Sequence, residues 1–112
     1  MSENIALTEA VYYILLALKQ PLHGYGIMQM TEKLSSGRVR LAAGTLYGAL
    51  NTLCEKQWIR ELPAAAGSRK KEYCITAAGE EVLRNELSRL RELVKNGEMI
   101  LGGADHGDED RA

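Results

Sequence analysis

The sequence is poor in the residues that mark secreted, zinc-binding or redox proteins. It holds only two cysteines and two histidines in 112 residues. Cys54 and Cys74 form neither a C-x-x-C pair nor a disulfide framework, and the histidines show no metal-ligand spacing with them. We therefore expect reduced thiols, no metal site and no cofactor.

Long apolar runs are also missing. No stretch approaches the roughly 18 to 20 apolar residues of a membrane helix, because Thr8, Glu9 and two tyrosines interrupt the segment from Leu7 to Leu18. The first ten residues, MSENIALTEA, are acidic and lack the basic and apolar order of a secretion signal. We expect a cytoplasmic protein that does not contact a membrane.

No catalytic pattern stands out in the chain. There is no recognisable Ser/His/Asp or Cys/His set, and the glycines around Tyr25 do not form the G-x-G-x-x-G pattern of a dinucleotide site. The length gives room for one hydrophobic core. We expect a single small domain that is not an enzyme.

Charge is distributed unevenly although the net charge is only −1. Residues 19–75 hold nine Lys or Arg against four acids, a net charge of +5, and the remainder is net −6. Such a division is typical of a protein that turns one basic face to a polyanion. The alternative is a solvated surface of mixed charge, which is equally compatible with these net charges.

Four segments have the period of amphipathic helices. The first spans Leu7–Leu18, with Thr8 as its N-cap, and ends before Pro21. The second begins near His23 and Gly24 and stops at Ser35–Gly37. The third starts at Ala43–Gly44 and should continue to about Gln57. The fourth follows its N-cap Thr76, carries an apolar seam of about two heptads and is ended by its glycines.

Two short runs between the third and fourth helices predict a β-hairpin. Trp58–Leu62 and Arg69–Ile75 are rich in β-branched and aromatic residues and flank a Pro/Ala/Gly/Ser loop. The fold class is therefore mainly α with a small β-hairpin. Three helices, a hairpin and a further helix, in that order, predict a winged helix-turn-helix in which the third helix enters the major groove.

The predicted DNA-contacting residues lie on the third helix and on the hairpin, the wing. We place Lys19–Leu34 as the helix that crosses the DNA backbone and Ala43–Lys56 as the reading helix, with its leucines facing the core. The alternative to DNA contact is that the outer face of the third helix is simply polar and solvated, and that the hairpin is simply a charged, exposed edge. The predicted contacts on the helix and the wing are Thr45, Tyr47, Gly48, Asn51, Thr52, Lys56, Arg69, Lys70, Lys71 and Tyr73.

Several motifs resemble the PadR-like family of bacterial transcriptional regulators. They are LTEAVYYILLAL at 7–18, HGYGI at 23–27, GTLYGAL at 44–50 and KEYCIT at 71–76, and the resemblance spans roughly residues 5–101. It implies a winged helix-turn-helix, a dimer held by the first and last helices, and repression of nearby genes. Many relatives carry proline after Leu-Tyr where this chain has Gly48, and the single last helix resembles the smaller branch of the family.

The apolar seam of the last helix predicts a homodimer, because so small a domain offers it no obvious partner. Packing of this helix back onto its own core is the alternative. A symmetric dimer would present two reading helices to a roughly palindromic operator. The predicted dimer residues are Val11, Leu15, Leu83, Leu87, Leu90 and Val94.

The expected organisation is a DNA-binding domain at 1–76, a dimerisation helix at 77–101 and an acidic, disordered tail at 102–112. The expected function is that of a sequence-specific regulator of transcription, a repressor, that binds double-stranded operator DNA as a homodimer. Two alternatives stay open: a winged-helix module for protein–protein assembly, and a regulator whose DNA binding is switched by a small aromatic effector.

Overall fold

The computed structural model describes residues 6–63 and 70–102. Helices and strands alternate along this part of the chain, with a long helix at its end. The elements are α1 Glu9–Ala17, β1 Leu22–His23, α2 Gly24–Leu34, α3 Ala43–Glu55, β2 Ile59–Leu62, β3 Glu72–Ile75 and α4 Ala77–Leu101.

Side chains cap the starts of α1, α2 and α4. The hydroxyls of Thr8 and Thr76 accept hydrogen bonds of 3.1 Å from the backbone N–H groups of Val11 and Gly79. These two caps confirm the sequence-based prediction. At α2 the cap is His23, which accepts at Nδ1 from the backbone N–H of Gly26 at 3.3 Å.

The sheet has three antiparallel strands in the order β1-β3-β2. The predicted hairpin is present as β2 and β3, in a register that pairs Ile59 with Ile75. The third strand was not predicted: Leu22 pairs with Tyr73 and His23 with Glu72. The predicted start of the second helix near His23 and Gly24 is confirmed. The assignment of Lys19–Leu34 as the crossing helix is wrong at its beginning, because Pro21 cannot continue the helical hydrogen bonding and Leu22 pairs with the wing instead.

A single core lies between the helices and the inner face of the sheet. The buried stripe of α1 packs against the leucine face of α3, the middle of α2 and the first turns of α4. The cluster consists of Ile14, Leu15, Leu18, Ile27, Leu46, Leu50, Leu53, Ile59, Tyr73 and Leu83.

Helix α4 has 25 residues, from Ala77 to Leu101, which are the bounds expected for the last helix. Its first turn packs closely on the residue before β2, since a Cβ on Gly79 would meet the carbonyl oxygen of Trp58. Residues 91–101 are exposed in the single chain. Gly97 does not end the helix, because one interior glycine costs only about 1 kcal/mol; the helix ends at Gly102, whose φ is 98°.

Residues 6–63 and 70–102 contain neither a membrane-spanning helix nor a cluster of metal ligands. None of the helices there combines the length and the apolar character that a bilayer-spanning helix needs. Within the same residues, no three His, Cys, Asp or Glu side chains come together as ligands for a metal ion.

Candidate nucleic-acid interface

Helix α3 turns one face to the core and the other to solvent. Leu46 and Leu50 are fully buried and Leu53 is 2 % exposed, as the leucine spacing predicted. This orientation leaves a small, polar outer surface, with nothing within 4 Å of the position that a Cβ would take on Gly44 or Gly48. The exposed residues of α3 are Ala43, Gly44, Thr45, Tyr47, Gly48, Asn51, Thr52 and Glu55, and the exposed Lys56 follows its last residue.

Tyr47 connects α3 to the start of α2. Its ring is 46 % exposed, yet its hydroxyl occupies the space that a Cβ on Gly24 would need. Because Gly24 has no side chain, the phenol can lie against the first residue of α2. The outer face of α3 is thus joined to the N-terminus of the preceding helix.

An open depression brings three elements together. His23, Gly24 and Tyr25 contribute from the start of α2, and Tyr47 contributes from α3. Lys70 and Lys71 border it from the residues that lead into β3. The reading helix and the basic residues of the wing therefore share one concave surface, which we refer to below as the α2–α3–wing depression.

The electrostatics of this surface favour an anion. The N-terminus of α2 carries the positive end of the helix dipole, and both lysines are exposed. Lys71 lies 3.6 Å from the carboxylate of Glu61 in a solvent-exposed ion pair, which contributes little and can be exchanged for a phosphate. Lys56, at the end of α3, lies over the Trp58 ring at 5.2 Å.

Two predicted contacts do not join this surface. Tyr73 is only 6 % exposed and belongs to the core, and burial raises the pKa of its phenol, with a smaller contribution from Glu61. Tyr73 therefore does not fit the predicted DNA contact, because its side chain is buried on strand β3. Arg69 lies outside the described residues.

The predicted dimer residues divide into two groups. Leu15 is fully buried and Leu83 is 7 % exposed, so both stabilise the single chain, and Leu15 cannot contact a partner. Leu87 and Val94 are 39 % and 58 % exposed. Val11 and Leu90 are half-buried.

A groove between α1 and α4 borders these exposed residues. Apolar side chains line its floor, and charged groups line its edge, where Lys19 and Arg84 both pair with Glu80. These two cations hold the pKa of the Glu80 carboxyl below its usual range, Lys19 having the larger effect. The apolar lining consists of Tyr12, Leu16, Leu83 and Leu87.

Three residues of the depression were missed as site residues: His23, Gly24 and Tyr25. The HGYGI motif at 23–27 contained the signal. In the sequence, this motif indicated only where the second helix begins. The packing of Tyr47 on Gly24 shows that the same residues also shape the exposed surface.

Two adjacent helices, the second facing solvent along its polar side, and a three-stranded sheet with a basic wing define a winged helix-turn-helix. This fold was predicted from the order of the elements. The family model of the transcriptional regulator PadR-like family matches residues 14–85. The chain belongs to this family.

Individual relatives agree with the family. The chain is 40 % identical over 86 residues to an uncharacterized 37.1 kDa protein in transposon TN4556 of Streptomyces fradiae, covering 76 % of this chain and only 24 % of that protein's length. A PadR family transcriptional regulator from Eggerthella lenta matches with a TM-score of 0.67 and 25 % identity, over 81 % of this chain and 80 % of that one.

The fold is also similar to that of Bacillus subtilis PadR, whose structure was determined in complex with operator DNA. The TM-score is 0.57 at 23 % identity, over 70 % of this chain and 45 % of that chain. At this identity the likeness shows the fold alone. The family and the fold are those of transcription regulators with a DNA-binding winged helix.

Proposed function

We propose that the protein is a homodimeric repressor that binds a roughly palindromic operator through α3 and the wing. The α2–α3–wing depression carries this proposal, because it joins Tyr47 of α3 to Lys70 and Lys71 of the wing on one concave surface. A duplex whose major groove receives α3 then passes its phosphates beside both lysines.

The outer face of α3 has the chemistry for reading bases. Asn51 can form paired hydrogen bonds with adenine, and Thr45 and Thr52 offer hydroxyls to bases or phosphates. Gly44 and Gly48 leave the helix surface low, with no neighbouring atom within 4 Å of a built Cβ. We therefore assign sequence reading to Thr45, Tyr47, Gly48, Asn51 and Thr52.

Lys56, Lys70 and Lys71 have a different role in this proposal. Ammonium groups on flexible stems bind phosphates without selecting a sequence. Arg69 adjoins these two wing lysines in the sequence and is proposed to contribute in the same way. These residues supply affinity, and the α3 face supplies specificity.

The dimer is supported by the apolar surface of α4. Leu93 and Val94 are 52 % and 58 % exposed, and Met99, Ile100 and Leu101 are 67 %, 83 % and 88 % exposed. So large an apolar surface is unusual on a monomer. We propose that it packs on a second copy of the chain, together with the exposed Leu87 and the half-buried Val11 and Leu90.

Two-fold symmetry then determines the form of the operator. A symmetric dimer presents two copies of α3 to two half-sites separated by about one turn of DNA, so the operator is expected to be roughly palindromic. Repression rests on the family resemblance, and we place the protein in the cytoplasm, where bacterial DNA is accessible to it.

A mobility-shift assay on the DNA that flanks the gene tests the proposal. Binding should weaken log-linearly with salt, and Lys70→Ala with Lys71→Ala should reduce the slope of log affinity against log salt by roughly 4 for the dimer, about one for each lysine of each protomer. Asn51→Ala should reduce discrimination between this DNA and a scrambled duplex. Lys33→Ala, at the opposite end of α2 from the depression, serves as the control for removing a charge.

The assay separates DNA binding from assembly alone. If the protein binds no duplex at low salt, the proposed function is wrong and the protein–protein module becomes the better reading. If Lys33→Ala lowers the salt slope as much as the wing variants do, the assignment of the wing is wrong.

A small aromatic effector is the second candidate, and the α1–α4 groove favours it. This groove combines the Tyr12 ring and leucine side chains with the cations Lys19 and Arg84, a lining that suits a flat compound with an acidic group. Titration of small aromatic acids into the protein–DNA complex should release DNA and change the fluorescence of Trp58. Release of DNA by none of them removes this candidate.

A further inference from the structure

The turn between α2 and α3 holds the backbone of Arg40 in a defined place at the surface. On one side, Val39 is buried, and its backbone N–H donates to the hydroxyl of Ser35 at 2.8 Å. On the other side, Leu41 is half-buried and packs against the core. Because both neighbours are anchored inward, the Arg40 side chain extends into solvent, where it is 75 % exposed.

An exposed stripe of α2 leads from the α2–α3–wing depression to Arg40. At about 100° per residue, positions 29 and 32 lie within about 40° of position 25 around the helix, and Tyr25, Gln29 and Glu32 are all exposed. Tyr25 borders the depression, and Glu32 pairs with Arg40 at the other end of the stripe. The stripe is about 10 Å long, so it joins the surface already proposed for DNA to a further cationic group.

The ion pair that holds Arg40 is one that an anion can replace. Its Nε atom lies 3.4 Å from the carboxylate of Glu32, farther than the about 2.7 to 2.9 Å of a charge-assisted hydrogen bond. The Glu32 side chain is itself 50 % exposed, and ion pairs between exposed groups contribute little to stability. A phosphate offers the guanidinium two parallel hydrogen bonds in place of this single long contact.

We propose that Arg40 exchanges Glu32 for a phosphate of the DNA backbone, so that the exposed stripe of α2 contacts the DNA at both of its ends. The first helix of a helix-turn-helix crosses the DNA backbone, and the stripe is the side of α2 that continues from the depression. The wing lysines bind phosphates at one end of the stripe, and Arg40 binds one at the other. This inference rests on the proposed function, and it adds affinity for every duplex without selecting a sequence.

Arg38 lies in the same turn but is held in a different way. Its Nε donates to the carboxylate of Glu9 at 2.8 Å, the length of a charge-assisted hydrogen bond. This bond raises the pKa of the Arg38 guanidinium and ties the turn to the first residue of α1 rather than to the stripe of α2. Arg38 is 72 % exposed and two positions from Arg40, so it provides a matched control.

Mobility shifts at a series of salt concentrations test the inference with the full-length protein. The probes are the DNA that flanks the gene and a scrambled duplex. Arg40→Ala should reduce the slope of log affinity against log salt by roughly 2 for the dimer, about one for each protomer. The ratio of affinities for the two duplexes should change less than about twofold, because a phosphate contact does not read bases.

Two further variants separate a phosphate contact from a general effect of the turn. Arg40→Lys should keep most of the wild-type slope, because the positive charge remains. Arg38→Ala should leave the slope unchanged. Arg40→Ala should also keep the wild-type melting temperature, since an exposed ion pair contributes little. The inference is overturned if Arg40→Ala binds with the wild-type slope, or if Arg38→Ala lowers the slope as much.

Nuclear magnetic resonance of the arginine side chains observes the contact directly. When the flanking duplex is added, the Nε–Hε signal of Arg40 should shift and that of Arg38 should stay in place. An Arg40 signal that does not move while the duplex binds overturns the inference and leaves the proposed function intact. If no duplex binds at low salt, the proposed function fails and this inference fails with it.

Discussion

Tyr47 is the residue in which packing and recognition are most closely connected. Its hydroxyl rests against Gly24, while nearly half of the side chain faces solvent. A side chain that is already ordered loses less conformational entropy when it binds. The contact with Gly24 therefore prepares Tyr47 for DNA at no cost to the core.

Gly24→Ala should move Tyr47 and weaken DNA binding while changing stability little. The added Cβ would meet the hydroxyl end of Tyr47 and its Cζ atom, the latter at 2.8 Å, and a half-exposed ring can yield. We expect a change of less than about 1 kcal/mol in the free energy of unfolding and a clear loss of operator affinity, measured by denaturation and by mobility shift.

A double-mutant cycle provides the control for this prediction. If Gly24 acts through the phenol, Gly24→Ala should have almost no further effect on affinity in the Tyr47→Ala background. Additive losses would mean that Gly24 contacts DNA on its own.

Among the described residues, Glu86 is the charged residue that is buried, with 4 % exposure. Its carboxylate accepts hydrogen bonds from Arg89 at 2.7 and 2.8 Å and from the backbone N–H of Leu7 at 3.3 Å. The bond from Arg89 holds the pKa of the Glu86 carboxyl below its usual range, although burial by itself would raise it. Glu86 thereby links Leu7, just before α1, to the middle of α4.

This lowered pKa has a definite consequence for acid stability. A depressed folded-state pKa contributes stability that is present above the ordinary carboxyl range and is lost as the pH falls through the folded-state pKa. The midpoint of urea unfolding should therefore fall between pH 5 and pH 3, and Glu86→Gln should reduce that fall. Glu81→Gln, at an exposed position of the same helix, should leave the acid dependence close to that of the wild type.

At the scale of elements, the helix starts were predictable because capping is local. Thr8 and Thr76 lie immediately before apolar periodic segments, and both accept the expected hydrogen bonds. The leucine spacing likewise fixed which face of α3 is outward. These features depend on residues within a few positions of one another.

Features that depend on distant partners were missed. β1 has two residues and is a strand only because β3, about fifty positions later, pairs with it. The burial of Tyr73 follows from the same pairing, because the sheet's inner face meets the core.

The exposed half of α4 should determine the oligomeric state. Val94→Arg places a charge on the apolar surface that we propose for the dimer and should yield a monomer at micromolar concentration. Because Val94 is exposed in the single chain, the fold should persist, with an unchanged far-ultraviolet circular dichroism spectrum per residue. Sedimentation velocity measures the outcome.

Ser88→Arg is the matched control, because residue 88 is exposed, lies about 120° around the helix from residue 94 at about 100° per residue, and has only polar residues one turn away, at 84, 85, 91 and 92. This variant should sediment as a dimer. A wild-type protein that is monomeric, or an equal effect of both substitutions, would contradict the dimer surface.

At the scale of the whole molecule, helix α3 and the wing border one concave surface, and the exposed end of α4 carries the surface that we propose for joining two copies. Part of this arrangement was predictable from the sequence: the outward face of α3 and the basic wing follow from residue patterns. The concave surface that joins them was not, because it depends on the contact between Tyr47 and Gly24 across two helices.

The central claim is that α3, the start of α2 and the wing contact the same DNA. Mapping of backbone amide shifts while operator DNA is added to the labelled protein tests it most directly. We predict that the largest shifts cluster at residues 23–25, 45–52 and 70–71, with small shifts at residues 91–101. Shifts concentrated on α4, with the α2–α3–wing depression unaffected, would contradict the account.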